Sequence, residues 1–196
     1  MATRIVSAPG DYPVTVEDAR SQLRLDSSDF DTQLTLLIAA ETAYAEKFTG
    51  RKFVSQSWDC YLDAFPQEGE RQVIVLPFPK IISVDGVYYQ DSSGGEQTLD
   101  ADLYVADLAG RPGRIGLAQS ASWPQTIEQI NAVRIRVTVG EQDTTVSPAT
   151  TDVAKDIQLA ILLRVQAAFD GGEQMARLQE IADNYLIPHR TVFSLA

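Results

Sequence analysis

Cysteine occurs once in this 196-residue chain, at Cys60, and histidine once, at His189. A lone thiol excludes an intrachain disulfide and any multi-thiolate metal site, so a reducing compartment is expected. A lone imidazole means that every Ser-His-Asp or Cys-His arrangement would have to use His189. Cations are scarce too, with 16 Lys and Arg against 27 Asp and Glu and a formal net charge of −11. That balance excludes a basic nucleic-acid clamp, which needs clustered cations to neutralise phosphate. Long apolar runs are missing: Leu36 to Ala40 and Leu159 to Leu163 fall far short of the roughly 20 residues of a bilayer crossing. The stretch Met1 to Asp11 lacks the apolar core of a signal peptide. A soluble protein with no membrane partner is expected.

What is present points to a globular chain. Apolar residues make up 44% and charged residues 22%, too apolar for a disordered polyelectrolyte. A chain of this length buries roughly 70% of its unfolded surface, which is enough to fold without a disulfide or metal.

The hydrophobic period changes twice along the chain. Thr15 and Asp18 form a capping-box pattern that opens a short helix to about Leu25. Phe30, Leu34, Leu37, Ile38, Tyr44 and Phe48 then recur at three- and four-residue steps up to Gly50, which predicts a helix over about 29–49 with a left-handed glycine cap. From Phe53 the period falls to two: Val54, Gln56, Trp58, Cys60 and Leu62 share one face, with Ser55, Ser57 and Asp59 on the other. Further strands are predicted at 72–76, 84–90, 97–99, 103–106, 114–117 and 132–139, with turns at Asp91 to Gly95 and Gly110 to Gly113. Short strands at this spacing predict a small antiparallel sandwich or barrel-like sheet. Helical spacing returns at Val153, Ile157, Ala160, Ile161, Val165 and Phe169, ends at Gly171-Gly172, and resumes over about 173–185.

These periods predict an α+β fold in which a helical bundle built from both chain ends carries an inserted antiparallel β subdomain. The expected division is 1–52 for the N-terminal helices, 53–140 for the β subdomain, 141–185 for the C-terminal helices and 186–196 for a docking tail. In that tail Leu186, Ile187, Pro188, His189, Arg190, Val192, Phe193 and Leu195 are the candidate partner-binding residues. Pro188 biases Ile187 away from helix, so an extended tail is expected.

Catalytic signals are few. His189 lies in the terminal segment beside Pro188 and reads as an exposed or interface imidazole. Cys60 sits on the apolar face of its strand, where a free thiol behaves as a small buried hydrophobe. Gly110, Gly113 and Gly116 have no Gly-Lys-Ser/Thr after them and read as a hairpin turn rather than a phosphate cradle. Between Asp63 and Asp107 nine carboxylates face only Arg71 and Lys80, so one surface of the β region is acidic. Glu96, Asp100, Asp102 and Asp107 lack the EF-hand pattern and read as a solvated face, not a cation site. No catalytic residue, metal site or cofactor is expected. Arg51-Lys52 and Arg134/Arg136 are the only close basic sets, which gives phosphate binding little support.

Several segments, in order, resemble one family. These are Val14-Thr-Val-Glu-Asp-Ala-Arg20, then Asp29-Phe-Asp-Thr-Gln-Leu34 through Ala45-Glu-Lys-Phe-Thr-Gly-Arg51, the strand entry Ser57-Trp58, and Trp123-Pro124. Asn131-Ala-Val-Arg-Ile-Arg-Val-Thr-Val-Gly140, Val146-Ser-Pro148 and Leu186-Ile-Pro-His-Arg190 follow. Their order and spacing, over nearly the whole chain, resemble the head-tail connector (adaptor) proteins of long-tailed phages and related prophages, in a longer version with a β insertion. The chain departs from the family pattern at Glu141, where an aromatic often follows the glycine, and at His189, where a tyrosine is common.

The resemblance implies a non-enzymatic structural protein of the virion neck, assembled in the host cytoplasm. Its implied partners are the portal protein, a neck, stopper or tail-completion protein, and other copies of itself, in a ring of about twelve on a closed rotational portal. DNA would pass through that ring without specific binding. Two rivals differ in class: a tail-completion or other virion interaction module, and a small hydrolase using acidic residues of the β region.

Overall fold

The computed structural model describes residues 1–66, 72–141 and 153–191. Their elements are β1 (Ala2–Ser7), α1 (Val16–Leu23), α2 (Asp31–Thr49), β2 (Gln56–Leu62), β3 (Val73–Val75), β4 (Ile81–Gln90), β5 (Glu96–Thr98), β6 (Tyr104–Asp107), β7 (Arg114–Leu117), β8 (Val133–Val139), α3 (Lys155–Asp170) and α4 (Met175–Leu186). The fold is α+β. The chain divides into two compact units, one of residues 10–54 with 141–196 and one of residues 1–9 with 55–140.

The helical unit forms where the periodicity predicts. Thr15 accepts the Asp18 N–H at 3.0 Å, and Asp18 Oδ2 accepts the Thr15 N–H at 2.8 Å, so the capping box that starts α1 is closed. Gly50 ends α2 in the left-handed conformation at φ +69°, a region open to glycine at little cost. Leu34, Ile38, Ala45, Phe53, Ile157, Ile161, Val165, Ala182 and Leu186 join in one buried core. A polar hub lies beside it. Arg164, 7% exposed, donates to Glu41 at 2.6 Å and to Asp183 at 3.0 Å, and its guanidinium lies 3.5 Å from the Tyr44 ring centroid. Tyr44 also donates to Asp183 at 3.1 Å, so one cation ties α2, α3 and α4 together. Burial and that hydrogen bond to Asp183 push the Tyr44 hydroxyl above its ordinary pKa.

The second unit holds two antiparallel sheets, ordered β1-β2-β8-β4-β5 and β3-β7-β6. They share one core, with Ile74, Leu76 and Ile115 packing among Cys60, Val87, Val133, Ile135, Val137 and Val139, as a sandwich requires. Burial and the neighbouring Asp59 charge push the Cys60 thiol up to about 12, consistent with an inert core residue. The predicted hairpin turn at Gly110 to Gly113 joins β6 and β7, where Asp107 pairs with Arg114.

Two features depart from the sequence reading. Residues 2–7, expected with the helices, form edge strand β1 of the five-stranded sheet. Asp59, expected on the polar face of its strand, is fully buried.

The core contacts set expected stabilities. Ile161→Ala should lower the unfolding free energy by about 2–5 kcal/mol through lost burial and a residual cavity. Leu36→Ala, at a side chain 70% exposed, should change it by no more than about 0.5 kcal/mol. Urea titration of the two variants checks the contrast.

Candidate functional site

The C-terminal candidates divide at Leu186. This residue ends α4 and is fully buried in the helical core, so it stabilises the bundle and is not free for a partner. The chain does not turn extended at Leu186; it does so only at Arg190. Ile187 continues in helical geometry at φ −51° and ψ −47°, and Ile187–His189 makes a single 3-10 turn with Pro188 near its start. The missing proline N–H costs nothing there, because the first donors of a helical turn have no internal acceptor.

Three ties hold this segment to the bundle. His189 Nε2 lies 2.6 Å from Asp156 Oδ2 at the start of α3. Burial alone would raise the Asp156 carboxyl, but the His189 contact outweighs it and holds the group below its ordinary range. The Arg190 guanidinium lies 5.2 Å from the Phe48 ring centroid. Thr191 donates its N–H to the Thr49 carbonyl at 2.8 Å and its hydroxyl to the same oxygen at 2.9 Å. A Cβ on Gly50 would stand 3.0 Å from Thr191 Oγ1, so this glycine both caps α2 and admits the returning chain. Ile187, Pro188 and Arg190 remain exposed, as do Ile181 and Tyr185 of α4. Val192, Phe193 and Leu195 lie outside the described residues. His189, read as an exposed or interface imidazole, is instead partly buried and tied to Asp156. Glu141, the other departure from the family pattern, is also ion-paired: it meets Arg51 at 3.4 Å, and its N–H donates to the Lys52 carbonyl at 2.9 Å.

A second surface was not anticipated. In the five-stranded sheet the register aligns Arg4 with Asp59 and Asp59 with Arg136, and the next row on that face runs Ala2, Tyr61, Arg134, Tyr88, Thr98. Asp59 accepts a bidentate pair from Arg136 at 2.9 and 3.1 Å, with Arg134 at 3.7 Å and Arg4 at 3.8 Å. Burial alone would raise the Asp59 carboxyl; the Arg136 hydrogen bonds and the charges of Arg136, Arg134 and Arg4 outweigh it and hold the group below its ordinary range. Arg134 also pairs with Glu96 at 3.0 Å and lies 4.0 Å from the Tyr88 ring centroid. That ring lies over Gly86, where a Cβ would come within 2.7 Å of the Tyr88 hydroxyl. A depression of about 470 Å³ between Arg4, Asp59, Tyr61, Tyr88 and Arg134 opens on this face. Arginine and tyrosine side chains held rigid in this way are residue types that dominate protein interfaces.

The acidic candidates do not converge. Asp100 accepts the Asp102 N–H, Asp107 pairs with Arg114, and Glu96 pairs with Arg134. Among the described residues no group of three or more His, Cys, Asp or Glu is placed to hold a metal ion. Among them, too, no helix is long and apolar enough to cross a membrane.

No protein-family model matches the chain, and no curated protein matches it. Solved structures do. A chain in the neck of an empty gene transfer agent (GTA) particle, computed with C6 symmetry, aligns with a TM-score of 0.72 and 22% identity over 100% of this chain and 98% of its own. A chain in the virion of a native GTA particle aligns at 0.69 and 22%, and one in the neck of a native GTA particle, computed with C12 symmetry, at 0.65 and 20%, with the same coverage. The chain therefore shares, over its whole length, the fold of chains found in phage-like necks.

The Asp59 cluster sets an acid dependence. With its folded pKa depressed, the carboxylate contributes stability that is fully present above the unfolded-chain value of about 4 and is lost as pH falls through the folded value. Asp59→Asn should cost about 1.5–3 kcal/mol at pH 7, the range for hydrogen bonds to charged groups. The gap between wild type and variant should narrow on acidification, and a gap constant from pH 7 to 2.5 in denaturant titrations would contradict this assignment.

Proposed function

We propose that this chain is a structural head-tail connector of a tailed-phage-like particle, which forms a ring under the portal and presents the surface on which neck and tail components build. The whole-length likeness to GTA neck chains is the observation that carries this reading, and the ordered resemblance of the sequence to adaptor proteins supports it independently. Its place is the virion neck, reached by assembly in the host cytoplasm. A portal presents closed rotational symmetry, so each copy meets its neighbours through two different surfaces, and about twelve copies match the portal. The net charge of −11 suits a ring through which DNA passes, since the excess of carboxylates repels phosphate.

In this reading the attachment element is the end of the chain, Val192, Phe193 and Leu195, with exposed Ile187, Pro188 and Arg190 at its base. Thr191 and His189, just before it, are tied to the bundle. Three large apolar side chains in five residues fit insertion into a groove on the portal or on a neighbouring subunit.

Truncation separates anchoring from attachment. Removing 192–196 should leave the thermal midpoint within about 4 °C of the full chain while abolishing co-sedimentation with portal. Leu186→Ala should instead cost about 2–5 kcal/mol of stability. A truncated chain that still binds portal like the full chain would overturn the role given to this segment. The free protein should not retard double-stranded DNA at physiological salt, and a salt-sensitive shift would contradict the passive role toward DNA.

A further inference from the structure

The five-stranded sheet has two open edges, and they differ in charge. At one edge β1 runs from Ala2 to Ser7 with all six residues exposed, and among the described residues no strand pairs with its outer side. At the other edge β5, Glu96–Thr98, is also wholly exposed. Unpaired edges of this kind template further strands unless they are covered. Arg4 stands on the first edge, its side chain 71% exposed, 3.8 Å from Asp59 and with its guanidinium 5.9 Å from the Tyr61 ring centroid. Glu96 stands on the second, its side chain 60% exposed, and pairs with Arg134. Both belong to the same face of the sheet, because each meets the Asp59, Arg134 and Arg136 cluster that covers that face.

From these edges we infer that a second copy of this chain is the occupant: β1 of one subunit lies beside β5 of the next, with Arg4 against Glu96, and the sheets run on around the ring. The inference rests on the connector reading and names the contact that would join its copies. Strand sense makes the contact specific. Every neighbouring pair within the sheet is antiparallel, so β1 and β5, separated by three strands, point the same way. A copy added by rotation therefore places its β5 parallel to β1, with the strands tilted to the ring axis so that Glu96, four residues along the strand from the row of Arg4, comes level with it, whereas a twofold dimer would pair β1 with β1 in antiparallel sense. The first contact is heterologous and propagates into a ring; the second stops at two. The overlap is limited to the three residues of β5, which suits subunits that associate firmly only when a portal gathers them.

Arg4→Cys with Glu96→Cys tests the contact in the full chain assembled on its portal. Within one chain the two positions lie four strand spacings apart across the sheet and four residues apart along the strands, about 23 Å in all, beyond the reach of about 7 Å between Cα atoms that a disulfide allows. The natural Cys60 is buried, so any link formed on mild oxidation joins different copies. The expected result is a ladder of linked species extending past the dimer, with no ladder from either single variant. Rings on portal that do not cross-link would overturn the contact and leave the connector reading standing. Failure of the unaltered chain to form rings on portal would overturn both. Dimers from Arg4→Cys alone would show the twofold β1 contact instead and overturn the inference. Charge reversal provides a second measurement, with folding checked by circular dichroism. Arg4→Glu should weaken ring assembly about tenfold or more, and adding Glu96→Arg should restore it. A double variant no better than the single one would contradict the pairing.

Discussion

A carboxylate with no exposure to water, in the middle of a sheet, must be neutralised where it stands, and in this chain that demand fixes the face on which the sheet meets its surroundings. Asp59 draws Arg136, Arg134 and Arg4 from three positions on two strands, and those guanidiniums in turn orient Tyr88 and Glu96. The desolvation cost of such a carboxylate is offset only when several hydrogen bonds and opposite charges converge on it. The same logic appears with reversed sign in the helical unit, where Arg164 gathers Glu41, Asp183 and Tyr44. Each unit thus pairs an apolar core, which supplies most of the driving force, with one ionic hub that specifies how its elements line up.

Legibility from the sequence followed the range of the interactions. The helices were readable because their signals are local: the Thr15 and Asp18 box, the three-four spacing of Leu34, Leu37 and Ile38, and the glycine stops at 50 and 171. Most strands were readable for the same reason. Strand β1 was not, because all six of its residues are exposed and an edge strand of that kind carries no alternation of buried and exposed positions. Asp59 was placed opposite the apolar face of its strand with no sign of its burial, because its partner Arg136 lies 77 residues away and no short-range pattern reveals such a pair. His189 and Asp156, 33 residues apart, present the same problem. At Leu186 and Ile187 a local rule was outweighed: proline disfavours helix in the residue before it, but burial of Leu186 in the core holds the last turn of α4 in place.

The fold shared with chains of GTA necks gives these features a setting. A connector must present different surfaces to unlike neighbours while leaving a passage for DNA, and it needs no chemistry of its own. A tethered C-terminal segment with an apolar end, an acidic chain and a sheet with two unlike edges are a consistent set of parts for that proposed task. None of them depends on a bound cofactor.

Electron microscopy of the purified chain mixed with the portal of its particle tests the proposed role most directly. The account predicts a closed ring of about twelve copies seated on the portal, coaxial with its channel. A portal left bare at saturating protein, or one decorated only by twofold dimers, would contradict it.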